Sequence, residues 1–265
     1  MAAVRDIYNF MDKIAPFHIQ EDFDNAGFLV GRGESAVGRV LVALDITLEV
    51  AEEARSWGAE LIVAHHPVVF HPVKSVTDGS LTGRVLLALI ENKIAAICAH
   101  TNLDAACGGV NDCLAEALEL TEIGQLQQAG VDAQGRPYGI GRVGTVHRPG
   151  LSAREYAAFV KEKLGSACVR VVSGGKPVQK VAVGGGACGS MLEDVVAQGC
   201  DTFVTADVKY DRFLDAKALG LNLLDAGHFS TENVVCAPMV RWLSEEFPNV
   251  DVRLSEVHRE IYSAI

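Results

Sequence analysis

No two cysteines in this chain stand in a CxxC spacing. The seven that occur, Cys98, Cys107, Cys113, Cys168, Cys188, Cys200 and Cys236, are scattered and odd in number. That argues against a disulfide framework and a clustered thiolate zinc site, and points to a reducing compartment. Most are expected to be small buried residues. No apolar run approaches the ~20 residues that span a bilayer. The N-terminal stretch MAAVRDIYNFMDKIAP contains Asp6 and Asp12 and lacks the apolar core of a signal sequence. A soluble, cytoplasmic protein with no membrane partner is expected. Positive charge is also short: 23 Lys and Arg stand against 34 Asp and Glu, for a net charge of -11. Without a basic face the chain is not expected to grip long nucleic acid by its phosphates. A small phosphate ligand remains open, because bound divalent metals bring local positive charge.

What is present is the patterning of an ordinary globular protein, with 49% hydrophobic and 22% charged residues in 265. Leu61–Pro67 reads LIVAHHP: an apolar run suited to a strand buried on both faces, then two histidines, then a proline that turns the chain away. Before it lie a strand at Val40–Leu44 and a helix at Leu48–Trp57, which Thr47 can cap and Gly58 can end. Strand, helix and strand in this order make a βαβ unit with a parallel pairing. The alternation continues with a helix near Leu81–Asn92, a strand at Ile94–Ala99 and a helix from Val110. The pattern weakens between Thr121 and Gly144. A domain boundary is placed there, giving domains 1–125 and 126–265. In the second half, Ser152 and Glu155 make a capping box for a helix to Leu164. Strands are expected at Val178–Val183, Asp201–Thr205 and Leu221–Leu224, with a closing strand at Val250–Leu254. The fold class is α/β: two linked domains with mostly parallel sheets.

Polar residues collect where the apolar strands end: Asp45, His65 and His66, His100 and Asp104, Asp207, then Asp225, His228 and Glu232. Parallel strands deliver such ends to one edge of a sheet. Histidine with carboxylate suits zinc, iron, manganese or nickel better than magnesium or calcium. Any one of these residues has a plain alternative. An HH pair can be a core histidine beside an exposed one, and Glu232 can simply favour a helix N-terminus. His228 and Glu232, four apart, share a face if helical, whereas TNLD after His100 is expected to be irregular. The loop GGGACGS, Gly184–Ser190, follows a strand and precedes a helix. It reads either as a phosphate cradle without a P-loop lysine or as a tight turn. Lys74 and Lys209 lie beyond strand ends, where each is either solvated or set to meet an anion.

Taken together, DNAGFLVG, HHPVVFHPVK, HTNLDAACGGVND and TADVKYDRFLDAKALGLNLLDAGHFSTE resemble the motif set of one family. It comprises the dinuclear metal centre proteins, also called GTP cyclohydrolase I type 2 homologues or Nif-three-like (NGG-interacting-factor-three-like) proteins. The resemblance spans nearly the whole chain. It implies two divalent metal ions in the cleft between two α/β domains, often within a hexameric toroid. It also implies His65, His66, Asp104, His228 and Glu232 as ligands, Glu232 bridging, and His100 as a neighbouring or catalytic residue. The chain departs from the family's pattern at Phe23, where Trp is usual, at Ala26, usually Val, and at Ala206, usually Gly.

The chemistry so implied is hydrolysis of a small-molecule substrate, a nucleotide, by metal-activated water. That means either opening of a guanine imidazole ring or phosphoester cleavage, with His100 and Asp207 as groups that move protons. The alternative is a non-enzymatic metal-binding regulator, metallochaperone or assembly scaffold.

Overall fold

The computed structural model describes residues 2–265. Two compact units make up the chain. The first combines the chain up to Leu103 with Cys236–Arg259, and the second combines Asp104–Val235 with Glu260–Ile265.

The first unit is built on a five-stranded sheet in the order Asp251–Leu254, Arg39–Ala43, Leu61–Ala64, Ala95–Cys98, Gly27–Val30. The first four strands run parallel and the last is antiparallel. Leu61–Ala64 is buried at every position, as a strand covered on both faces must be. Two crossover helices, Leu48–Trp57 and Leu81–Glu91, cover one face. Their Val50, Ala54, Val85 and Leu89 pack over Leu41, Ile62 and Ala96. Burying each large aliphatic side chain contributes about 1.5–3 kcal/mol relative to exposure. Both helices start on a side-chain cap: Thr47 Oγ1 accepts from Val50 N at 3.2 Å, and Ser80 Oγ accepts from Gly83 N at 3.0 Å. Gly58 ends the first helix in the left-handed region, at φ 78°.

The strand Asp251–Leu254 lies beside Arg39–Ala43, in register Val252 to Val40. The interaction is reinforced by Arg253 over the Trp57 ring at 4.4 Å and by Glu53, which accepts from Ser255 Oγ and, at 2.8 Å, from Glu256 N. The compact units therefore differ from a linear division at residue 125. The chain returns to its first sheet after about two hundred residues, and local periodicity carries no trace of that long-range pairing.

The second unit holds a six-stranded sheet in the order Arg170–Val172, Asn222–Asp225, Thr202–Thr205, Lys180–Val183, Arg142–Val146, Leu120–Gln125. Only the pairings among Lys180–Val183, Thr202–Thr205 and Asn222–Asp225 are parallel; the outer ones are antiparallel. The sheet is thus mixed, and the mostly parallel character expected belongs to the first unit. The stretch that looked patternless contains the edge strand Leu120–Gln125 and a short hairpin, Gly130–Val131 with Pro137–Tyr138. An edge strand with three consecutive exposed residues shows no apolar run. Arg142 is almost wholly buried here. Its guanidinium donates to both carboxylate oxygens of Asp112 (2.8 and 2.9 Å), to Gln125 Oε1 (2.8 Å) and to the carbonyls of Gly139 (2.8 Å), Gly141 (2.9 Å) and Ala106 (3.0 Å).

Among the described residues no two cysteines are joined in a disulfide, and only Cys98, Cys200 and Cys236 are buried, fewer than expected. Among the described residues no helix is long and apolar enough to cross a membrane.

Candidate metal centre

In the first unit the parallel register brings three strand ends side by side: Ala43 pairs with Ala64, and Ala64 with Cys98. The residues just beyond are Asp45, His65 with His66, and His100. The rings of His65, His66 and His100 lie 5.0, 5.2 and 5.5 Å apart in pairs. One ligand nitrogen from each can be chosen so that all fall within 4.8 Å of one another.

What fixes these rings is informative. His65 Nδ1 is 2.7 Å from the Ala99 carbonyl, which can only accept, so Nδ1 carries the proton and Nε2 carries the lone pair. His66 Nδ1 is 2.7 Å from Asp45 Oδ1, and His100 Nδ1 is 2.8 Å from Asp24 Oδ1. All three histidines are therefore held through Nδ1. That leaves Nε2 as the atom each could offer to a metal, as in carboxylate- or carbonyl-buttressed histidine ligands.

Asp24 is a residue that the sequence pattern hid, because DN before AG reads as a turn. Its second oxygen accepts from the Thr101 amide at 3.0 Å and from the Thr101 hydroxyl at 2.5 Å. Burial opposes its ionisation. Hydrogen bonds from His100 and Thr101, with the His100 charge, outweigh that and lower its pKa from 3.8 to about 2. A depressed carboxyl stabilises the fold above its unfolded pKa and ceases to do so as pH falls through its folded one. In metal-free protein, the stability difference between wild type and Asp24→Asn is expected to shrink by at most about 2 kcal/mol from about pH 5 to about pH 2. Urea titrations across that range measure it, and a constant difference contradicts the assignment.

In the second unit, His228–Glu232 is one helical turn. It places His228 Nε2 3.0 Å from Glu232 Oε2. The other nitrogen, Nδ1, is 2.7 Å from Asp207 Oδ2. Asp207 reaches it from a left-handed backbone conformation, φ 50°, immediately after Ala206. The positive φ thus falls on Asp207 and not on the alanine that departs from the family's glycine. Asp104 is buried and sits in a helical turn, Thr101–Ala105, where an irregular segment was expected. The turn is stabilised by Asn111, whose side-chain amide donates to the Asp104 carbonyl at 3.0 Å. Asp104 and Glu232 both act on Cys188: burial first, then these two carboxylates, push its thiol pKa well up. A thiol so held stays protonated and is a poor ligand.

The GGGACGS loop supports the tight-turn reading over a phosphate cradle. Four of its seven N–H groups are already used, from Gly184 to the Val204 carbonyl (2.9 Å), from Gly185 to Asn111 Oδ1 (2.9 Å), from Gly186 to Thr231 Oγ1 (3.0 Å) and from Cys188 to Thr205 Oγ1 (3.1 Å). Glycine serves proximity instead. A Cβ on Gly186, at φ 63°, would stand 2.1 Å from Glu232 Oε1 and 3.2 Å from His228 Cε1. The loop is the wall against which the His228–Glu232 pair rests.

Three other residues have different roles. Asp225 is structural: it accepts from Arg170, from Val208 N (2.9 Å) and from Gly227 N (3.2 Å). Phe23 and Phe70, not singled out from sequence as site residues, pack edge to face at 6.4 Å, and Phe70 lies 6.0 Å from His100. Both remain exposed.

These features define an α/β protein of two units that carries candidate histidine and carboxylate ligands for divalent metal, the histidines each held through Nδ1 by a hydrogen-bonded partner. The chain belongs to the family described as Duf34/NIF3 (NGG1p interacting factor 3), whose model matches residues 2–261. It is 36% identical to a GTP cyclohydrolase 1 type 2 homolog of Clostridium perfringens over 86% of each chain. It is 38% identical to another of that name from Streptomyces coelicolor, over 88% of this chain and 82% of the relative. Its fold matches the crystal structure of a Bacillus cereus protein related to NIF3 with a TM-score of 0.93 and 26% identity, over 100% of this chain and 99% of the other.

Proposed function

We propose that the protein binds two divalent metal ions through His65, His66, Asp104, His228 and Glu232 and hydrolyses a nucleotide. The supporting observation is how the rings are anchored. The Ala99 carbonyl fixes the tautomer of His65; His66 and His228 are held through Nδ1 by carboxylates; and His228 Nε2 lies 3.0 Å from Glu232 Oε2, close enough for both to be offered to one ion. The donor set is nitrogen with carboxylate oxygen and no available thiolate, which fits zinc, iron, manganese or nickel. Divalent ions there supply Lewis-acid polarisation and water acidified to near neutral pKa.

The chain's own residues would then do the rest. Asp45 and Asp207 hold the rings of His66 and His228, and Asp24 holds that of His100. His100, partly exposed and backed by Asp24, is the side chain we assign to proton transfer at the substrate. Asp207, about 60% exposed beside His228, is a second candidate for that role. The names of the relatives point to ring opening in a guanine nucleotide, and phosphoester cleavage uses the same parts.

Elemental analysis of freshly purified protein and a turnover screen of metal-loaded protein against nucleotides and cyclic phosphoesters test this. His65→Ala and Glu232→Ala are expected to lose bound metal and at least a thousandfold in turnover while keeping the fold, an order of magnitude typical of lost metal catalysis. Full activity in both variants sinks the proposal. Reversible metal exchange without turnover on any substrate points instead to a metal carrier.

A further inference from the structure

A cavity of about 460 Å³ lies within the first unit, just beyond the strands Arg39–Ala43 and Leu61–Ala64. That size accommodates an organic ring system. His66 forms part of its wall, so the cavity adjoins the histidine trio. Leu48, Val68 and Val85 supply apolar surface, and Asp45, Glu49 and Arg84 supply charge.

The charges decide what part of a ligand fits. The cavity opens at the start of the helix Leu48–Trp57, a place that would ordinarily favour an anion. Here the chain has filled that role itself. Thr47 Oγ1 accepts from Val50 N at 3.2 Å, and Glu49 is kept ionised by its own backbone N–H and by the Thr47 hydroxyl. Two carboxylates and one guanidinium line the cavity: Asp45 Oδ1 lies 2.7 Å from His66 Nδ1, and Arg84 donates to the Asp78 carbonyl at 3.4 Å. Among the charged side chains that line the cavity, a phosphate would meet two carboxylates and one guanidinium. A flat ring with N–H donors would meet apolar walls and carboxylate acceptors.

We propose that this cavity receives the base of the substrate, a planar nitrogen heterocycle whose N–H donors face Glu49 and Asp45, and excludes its phosphates. The assignment rests on the hydrolase reading above and deepens it. The ring lies next to His66, so the site is arranged to act on the heterocycle itself, and phosphates must lie elsewhere.

The test uses the full chain supplied with zinc and three probes: guanosine, inosine (which lacks the exocyclic amine) and inorganic tripolyphosphate. Calorimetry is expected to show saturable guanosine binding, with inosine at least tenfold weaker. Val68→Trp, which fills the cavity, and Glu49→Gln, a surface change that leaves the fold intact, are each expected to weaken guanosine at least tenfold. Neither should change zinc content or tripolyphosphate binding. Absence of guanosine binding to wild type overturns the inference, as does unchanged guanosine affinity in Glu49→Gln. So does tripolyphosphate binding that disappears in Val68→Trp with zinc retained. Failure of the hydrolase reading shows separately, as loss of zinc binding or of turnover in the wild type.

Discussion

Replacing Gly186 by alanine is expected to cut metal affinity by about 10–100-fold or more, an effect of the size seen when the support of a ligand is lost. The reason is a single atom. A Cβ there would sit 2.1 Å from Glu232 Oε1 and 3.1 Å from Glu232 Cδ, far inside contact distance. The carboxylate has little room to retreat, since Glu232 is only 3% exposed and its partner His228 is held by Asp207. The backbone adds to the strain, because φ of 63° disfavours any residue with a Cβ by about 1–2 kcal/mol. The variant should therefore fold, with a modest loss of thermal stability, and bind zinc weakly in a competition titration against a chelator. Gly199→Ala is the control: it too has a positive φ, 70°, but a Cβ there meets nothing within 4 Å. It should show the stability loss without the metal defect. Equal zinc affinity in the two variants would falsify the role given to the loop.

The second large effect belongs to Arg142. Replacement by methionine is expected to destabilise the second unit by about 3–5 kcal/mol, the range for removing one partner of a buried ion pair. The guanidinium satisfies Asp112 through both oxygens, as well as Gln125 and the carbonyls of Gly139, Gly141 and Ala106. Methionine fills much of the volume and takes the guanidinium away from all of these acceptors, although Asp112 Oδ2 keeps the Gly108 amide and the carbonyls of Gly141 and Ala106 keep the Leu126 and Gly109 amides. Lysine keeps the charge but cannot reproduce a planar fork, so Arg142→Lys should recover less than half of the loss. Denaturant unfolding monitored by hydrogen exchange at the second unit's sheet measures both. A change below about 1 kcal/mol for methionine would remove Arg142 from the list of structural keystones.

Much of this was legible in the sequence, for definite reasons. LIVAHHP announced a buried strand with histidines at its end because a doubly covered strand must be apolar throughout. The capping pairs Thr47 with Val50 and Ser152 with Glu155 are local, and they form as the spacing requires. What escaped was non-local or ambiguous in kind. Asp24 looks like any turn aspartate until the sheet brings it to His100 and Thr101, 76 and 77 residues away. The edge strand Leu120–Gln125 lacks an apolar pattern because only its first residue is buried. GGGACGS has the composition of an anion-binding loop, and only the partners of its amides show that much of the backbone is already spoken for. The five ligand residues themselves came from resemblance to a family and from their shared position at strand ends, not from any one spacing.

The strand Asp251–Leu254 has a further consequence, for the order of events during synthesis. Until residue 254 has left the ribosome, Arg39–Ala43 presents an unpaired backbone edge to the surroundings. Everything that builds the second unit's sheet, from Leu120 to Asp225, emerges earlier. The second unit's sheet can therefore be complete while the first still awaits its last strand, and the closure of the first unit's sheet is a high-contact-order step. A chain released short of residue 251 would expose the edge of an apolar strand, Val40–Ala43, of the kind that pairs with its neighbours in aggregates.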